Sequence, residues 1–323
     1  MASTLLDRLN AGPVLCDGAM GTQLFAHGIG FDQCFDELNL SRPDLVSQIH
    51  RAYLDAGADL IETNTFGANR IKLREHGLEE QAAAINRAGV VLAREAVAAS
   101  RRRAFVLASV GPLGRRLAPI GPLAQAEAAA AFREQIGALV AAQPDALIIE
   151  TIADLNEIQL AVGIARAATD LPIIAQMTFG EDGRTIVGDR PQEFVAAMRA
   201  LNVEVIGTNC SVGPGKLLPV VEAIVPLANG SKVSAQPNAG WPEQVGDRIV
   251  YRSTPEYFAQ FAQRAIAAGV TIVGGCCGTT PDHIRAMRRA LDASQTPISV
   301  VAGAAPLPPS RRPVLDVADV AGV

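Results

Sequence analysis

Eight or so short apolar runs rich in Val, Ile and Leu recur along the 323 residues, and most are followed by a stretch of helical periodicity. The runs are Val14–Asp17, Asp59–Glu62, Phe105–Val110, Ala146–Glu150, Pro172–Met177, Glu204–Thr208, Lys232–Gln236 and Thr271–Val273. Helical patterns cover 44–56, 81–99, 123–142, 155–168, 192–201, 216–227, 255–268 and 282–291, with an extra loop at 66–76 after the second run. Strand-then-helix repetition imposes parallel pairing, because parallel neighbours need a crossover, and eight such units are the number that closes a barrel. An open doubly wound sheet has the same rhythm but gathers its polar residues near one switch point. Here polar residues follow nearly every run, so the expected fold is α/β, a single (β/α)8 TIM barrel. Residues 1–298 are assigned to it, and 299–323, with the stretch Ala-Pro-Leu-Pro-Pro-Ser-Arg-Arg-Pro, read as a Pro-rich tail or linker.

Composition narrows the partners. Apolar residues make up 49% of the chain and charged residues 19%, enough for a large core and no case for disorder. A formal net charge of −5 and the lack of a Lys/Arg stripe with interleaved aromatics argue against nucleic acid. The first residues carry Asp7 and Arg8 where a signal peptide needs an apolar run, and no span of about 18 apolar residues occurs, so a cytoplasmic chain with no membrane partner is expected. Five cysteines is an odd count and two are adjacent, which suits reduced thiols better than a disulfide framework.

Cys210 ends the sixth run in Gly-Thr-Asn-Cys-Ser-Val-Gly-Pro, and Cys276 and Cys277 end the eighth in Gly-Gly-Cys-Cys-Gly-Thr-Thr-Pro. In a barrel these lie on one rim, where three thiolates occupy three corners of a tetrahedron and leave the fourth open, as at catalytic zinc. A lone cysteine is more often a small packing residue, which is the reading for Cys16 and Cys34; three in glycine-rich strand ends read as ligands. Asp17 and Glu150 end the first and fourth runs, placed either to pair with a substrate ammonium or to cap a helix or form a structural ion pair. Glu62, Thr63, Asn64 and Thr65 form a further polar strand end, some of them tying loops together. Asn238, in Gln-Pro-Asn-Ala-Gly-Trp, serves substrate, metal or simply a turn. No dinucleotide fingerprint, P-loop or His-Glu-Xxx-Xxx-His spacing is present, so no nucleotide cofactor and no histidine ligand is assigned.

Taken together, Asp-Gly-Ala-Met-Gly-Thr at Asp17, Glu-Thr-Asn-Thr-Phe-Gly-Ala-Asn at Glu62 and the two cysteine motifs resemble the homocysteine S-methyltransferase family from about Leu5 to Leu291. The segment beginning at Cys34 is similar to the homocysteine-binding domain of cobalamin-dependent methionine synthase and of bifunctional homocysteine methyltransferase/methylenetetrahydrofolate reductase proteins. The resemblance implies a zinc site on Cys210, Cys276 and Cys277, an amino-acid clamp at Asp17, Gly18, Thr63 and Glu150, and methyl transfer to L-homocysteine to give L-methionine.

Members of that family take the methyl from S-methylmethionine or S-adenosylmethionine, from betaine, or from a methylated corrinoid fed by methyltetrahydrofolate. The chain lacks an Asp-Xxx-His-Xxx-Gly signature, the length for a folate domain and the reductase half of the bifunctional relatives, so an onium donor such as S-methylmethionine is expected. Trp241, Phe66 and Phe179 stand at strand ends suited to facing an onium cation. The alternatives are a homocysteine-activating module served by methylcobalamin and a non-catalytic zinc barrel that senses thiols.

Overall fold

In the computed structural model, which describes residues 4–295 apart from 31, 242, 246 and 247, eight parallel strands share one sheet. They are β1 (Val14–Leu15), β2 (Leu60–Glu62), β3 (Phe105–Val110), β4 (Ala146–Ile152), β5 (Ile173–Met177), β6 (Val205–Asn209), β7 (Lys232–Gln236) and β8 (Ile272–Val273). Neighbours follow the order β1-β8-β7-β6-β5-β4-β3-β2. The ends of that row meet. Cys16 bridges Leu60 in parallel, and the Asp59 N–H donates to the Leu15 carbonyl at 2.7 Å while the Asp17 N–H donates to the Leu60 carbonyl at 3.1 Å. The sheet is therefore the expected closed barrel, with no edge strand left unpaired.

Eight helices wrap it: α1 (Pro43–Ala56), α2 (Ala82–Ala99), α3 (Gln125–Ala141), α4 (Leu155–Ala168), α5 (Pro191–Ala200), α6 (Pro214–Ala228), α7 (Pro255–Ala267) and α8 (Pro281–Gln295). Five open on Pro, whose fixed φ and missing N–H suit a first helical turn. Sequence periodicity found all eight but not the short pieces between them. Residues 66–76, expected as loop, hold a helical turn at Arg70–Leu73 because the Asn69 side chain accepts from the Ile71 and Lys72 N–H groups. Short helices at Gly21–Ala26 and Leu38–Ser41 follow β1, and an antiparallel pair, Glu243–Val245 with Arg248–Val250, follows β7. The Pro-rich segment 299–323 lies outside the described residues. Among those described, no helix is long and apolar enough to cross a membrane.

Strand alternation sorts the core into two layers. Val14, Cys16, Leu60, Phe105, Leu107, Ala146, Ile148, Ile174, Val205 and Ile272 pack together inside the barrel, while their neighbours Leu15, Ile61, Val106, Leu147, Ile173, Ile206 and Val273 pack with the helices. Leu5 and Leu9 of the N-terminal helix Leu5–Asn10 join the inner layer, plugging its lower end. Each buried leucine contributes about 1.5–3 kcal/mol. That plug is held by charge as well: Asp59 meets Arg8 at 3.6 Å, Arg102 at 3.5 Å and Arg288 at 3.0 Å, and accepts from the Leu15 N–H at 3.0 Å.

Candidate functional site

Carrying the inward phase up each strand gives Cys16 and Glu62, then Ser109 on β3, Glu150 on β4, Gln176 on β5, Asn209 on β6 and Ser234 with Gln236 on β7. The apolar inner layer thus gives way to a polar floor at the carboxyl ends of the strands. Gly207 occupies the inward place below Asn209 because a Cβ there would stand 2.0 Å from Ser234 Oγ and 2.3 Å from its carbonyl oxygen. Above the floor opens a cavity of about 1090 Å³.

Simple alternation would send Cys210 outward. Instead Cys210 (φ 61°) and Ser211 (φ 60°) take left-handed backbone, and the chain turns so that the Cys210 sulfur comes 3.9 Å from that of Cys277. The three sulfurs of Cys210, Cys276 and Cys277 lie within 4.8 Å of one another and all line the cavity. Backbone bonds fix the loops that carry them: Cys210 N–H to the Gln236 carbonyl at 3.0 Å, Cys276 N–H to the Pro237 carbonyl at 2.8 Å, and Ala239 N–H to the Cys277 carbonyl at 2.8 Å. Four sulfurs about 2.3 Å from a tetrahedral zinc are separated by about 3.8 Å. The donor set therefore fits zinc, with its open side toward the cavity. Hydrogen bonds from Cys210 and Cys276 pull the Cys277 thiol down to about 4, while its bonds to Cys210 and Cys277, with burial, push the Cys276 thiol well up.

Carboxyl groups occupy the other side. Glu150 accepts from Ser109 Oγ at 2.7 Å, Asn209 Nδ2 at 2.9 Å and Thr151 Oγ1 at 3.2 Å. Asp17 accepts from the Glu62 N–H at 3.1 Å, and Glu62 accepts from Gln236 Nε2 at 2.8 Å and the Cys16 thiol at 3.4 Å. Burial raises the carboxyl pKa of all three, and for Glu62 the nearby Glu150 and Asp17 raise it further. Among the described residues, no Lys, Arg or His lines the cavity. Acids buried without a cation are costly, and a ligand that supplies one relieves that cost.

The remaining expected residues sit around this floor. Gly18 lines the cavity, and any side chain there would strike Thr279 Oγ1 at 2.5 Å and the Tyr53 ring at 3.1 Å. Thr63 Oγ1 accepts from the Ser109 N–H at 3.0 Å and meets Thr65 Oγ1 at 2.6 Å. Asn238 is buried, with its Oδ1 unpaired, and is not among the residues that line the cavity. Asp17 lies beneath the lining rather than in it, and Cys34 packs in a satellite cluster. Two aromatic expectations are corrected: Phe179 is fully buried against Phe194, and Trp241 is 64% exposed, so neither lines the cavity. Phe66 does line it, with Lys72 Nζ 4.6 Å from its ring centroid. Sequence reading missed Ser109, Asn209, Gln236 and Tyr251. The first three follow from extending strand parity; Tyr251, whose ring fills the space over Gly278 (φ 79°), comes from a loop and carries no such signal.

A profile of homocysteine S-methyltransferases matches residues 14–291. Methionine synthase of Mycobacterium tuberculosis is 34% identical over 89% of this chain, and that of Mycobacterium leprae is likewise 34% identical over 89%. The match takes in 25% of each, so the chain spans about a quarter of the length of these curated relatives. The metallated form of homocysteine methyltransferase MmuM from Escherichia coli superposes with a TM-score of 0.74 at 25% identity, covering 86% of this chain and 96% of that one. Its oxidized form gives 0.72 at 25% identity, covering 88% and 98%. A methyltransferase from Methanosarcina mazei, 10% identical, shares the fold with a TM-score of 0.59, covering 91% and 100%. The chain belongs to the homocysteine S-methyltransferase family.

Proposed function

We propose that the chain transfers a methyl group to the thiolate of L-homocysteine, forming L-methionine, with zinc held by Cys210, Cys276 and Cys277. The observation that carries this reading is the pairing of two sites on one cavity: a sulfur triangle with an open side, and carboxyls with no cation lining the cavity beside them among the described residues. Homocysteine has a thiol for the first and an ammonium for the second. The relatives named methionine synthase and homocysteine methyltransferase support the same assignment.

Glu150, held by three donors, presents its charge to the ammonium, and Asp17 adds charge from beneath. Gly18 and Thr63 hold the substrate's backbone end against the floor. Asn238, with its spare Oδ1, is assigned to substrate or metal contact. Bound zinc supplies the acidity that removes a thiol proton near neutral pH, where a free thiol at about 8.5 stays mostly protonated. The protein's own part is to orient the sulfur toward the incoming methyl, a proximity effect. Five free cysteines suit the reducing cytoplasm, where we place the chain.

An onium donor, S-methylmethionine first, is favoured because no cation lines the cavity among the described residues and Phe25, Phe35 and Tyr251 offer aromatic surface. The 34% identity to methionine synthase favours a second donor, methylcobalamin. The test is metal analysis of the purified chain, then methionine formation from homocysteine with S-methylmethionine, S-adenosylmethionine, betaine and methylcobalamin in turn. Zinc at one per chain and turnover with an onium donor are expected. Bound zinc with no methionine from any donor would overturn the enzymatic reading.

A further inference from the structure

Asn209 ends β6 one residue before Cys210 and is 1% exposed. Its side chain touches both halves of the site. Oδ1 accepts from the Thr151 N–H at 2.9 Å, and Nδ2 donates to Glu150 Oε2 at 2.9 Å, to Thr151 Oγ1 at 2.8 Å and to Cys276 Sγ at 3.9 Å. Thr151 itself is held at φ 59°, left-handed backbone that a β-branched residue adopts only when its surroundings impose it. The bond from its N–H to Asn209 is one such constraint. The Thr151 hydroxyl then completes a triangle with Glu150 Oε2 at 3.2 Å.

Building on the roles assigned above to Glu150 and the cysteines, we infer that Asn209 is a positioning residue that fixes the Glu150 carboxylate and the Cys276 sulfur relative to one another. One planar amide sets both the ammonium clamp and the metal-holding geometry. Its chemistry is specific: Asn offers an acceptor and two donor hydrogens on one rigid group. Asp keeps the acceptor but sets a second carboxylate against Glu150 and removes the amide hydrogens, one of which the Cys276 sulfur shares with an oxygen acceptor. Groups that orient a ligand through its hydrogen bonds commonly carry about 10–100-fold of metal affinity.

The test uses the full chain as wild type, Asn209→Asp, Asn209→Ala and Glu150→Gln. Zinc affinity is read without substrate by competition with a chromogenic chelator, homocysteine affinity by calorimetry on the zinc-loaded protein, and sulfur geometry by the thiolate-to-metal absorption band of the cobalt(II)-substituted chain. Both Asn209 variants are expected to weaken zinc about tenfold and homocysteine about 10–100-fold and to shift the cobalt band. Glu150→Gln is expected to weaken homocysteine alone. Asn209 variants that change only one affinity, that leave the band where it is, or that both fail to fold would overturn the inference. A wild-type chain that holds no zinc overturns the functional reading first, and this inference with it.

Discussion

The two ends of the barrel treat acidic side chains in opposite ways. At the lower end the Asp59 carboxylate meets Arg8, Arg102 and Arg288, and Asp145 and Glu204, beside the starts of β4 and β6, are paired with Arg94 and Arg166. At the upper end Asp17 and Glu150 are buried and Glu62 is half-buried, and no cation lines the cavity among the described residues. The lower arrangement is complete within the protein, so it acts on stability, tying the N-terminal helix, β2 and α8 together. The upper one is incomplete until something positive arrives, so it stores unfavourable free energy that a cationic ligand releases. Changes at the upper end should therefore alter binding and chemistry while sparing the fold, and changes at the lower end should do the reverse.

The largest effect tests the upper end. Cys277→Ala removes one sulfur of three, and zinc content should fall with methionine formation, the latter by about a thousandfold or more, on the order of 4 kcal/mol. The melting temperature of the metal-free protein should stay near that of wild type. Full activity in this variant would sink the assignment of the triangle. A collapse of the metal-free fold would erase the distinction between the ends.

This division was partly legible in the sequence. Phe105–Val110 and Lys232–Gln236 were expected as strands with the bounds observed, because each is a short run, bounded by polar or turn residues, that falls in step with the strand-helix repeat. The clustering of the three cysteines was legible because Gly-rich strand ends in a barrel have one rim to occupy. Asn209 and Gln236 were not singled out, since a polar residue late in a strand reads the same whether it faces substrate or a helix. Phase settles it: Val205, Gly207 and Asn209 share the inward face, as Ser234 and Gln236 do. Asp59 offered even less. Its three arginines are 43, 51 and 229 positions away, and no local pattern joins residues so far apart.

The next effect tests the lower end. Asp59→Asn leaves three guanidinium groups facing a neutral amide. Because the arginines are partly exposed, the cost should fall between that of a surface pair and a buried one, about 2 kcal/mol, or roughly 4–8 °C in melting temperature. Homocysteine affinity should not change. A thermal scan with no shift would show that solvent already screens these charges.

Glu150→Gln returns to the upper end with a smaller change. It keeps one acceptor for Ser109 but removes the charge assigned to the ammonium, so homocysteine should bind about 10–30-fold more weakly, a loss of about 1.4–2 kcal/mol. Zinc content should be unaffected. Loss of metal in this variant would mean that Glu150 serves the sulfur site rather than the amino-acid clamp.

The smallest effect has the most informative sign. Burial, with Glu150 and Asp17 nearby, raises the Glu62 carboxyl well above its ordinary range. A carboxyl raised in the folded state favours folding below its unfolded pKa, and that contribution is lost as pH climbs through the folded value. The ligand-free chain should then lose stability from mildly acidic toward alkaline pH, as far as this group decides. Glu62→Gln keeps an oxygen for Gln236 and cannot ionise, so at pH 8 it should melt about 2–4 °C higher than wild type, a gain of roughly 1 kcal/mol, with no difference near pH 4. Stabilisation by deleting a charge at the upper end, beside destabilisation by deleting one at the lower, is what an acid kept for a ligand should show. A lower melting temperature for Glu62→Gln at pH 8 would mean that the protein already satisfies this carboxylate, and the contrast between the two ends would fail at that residue.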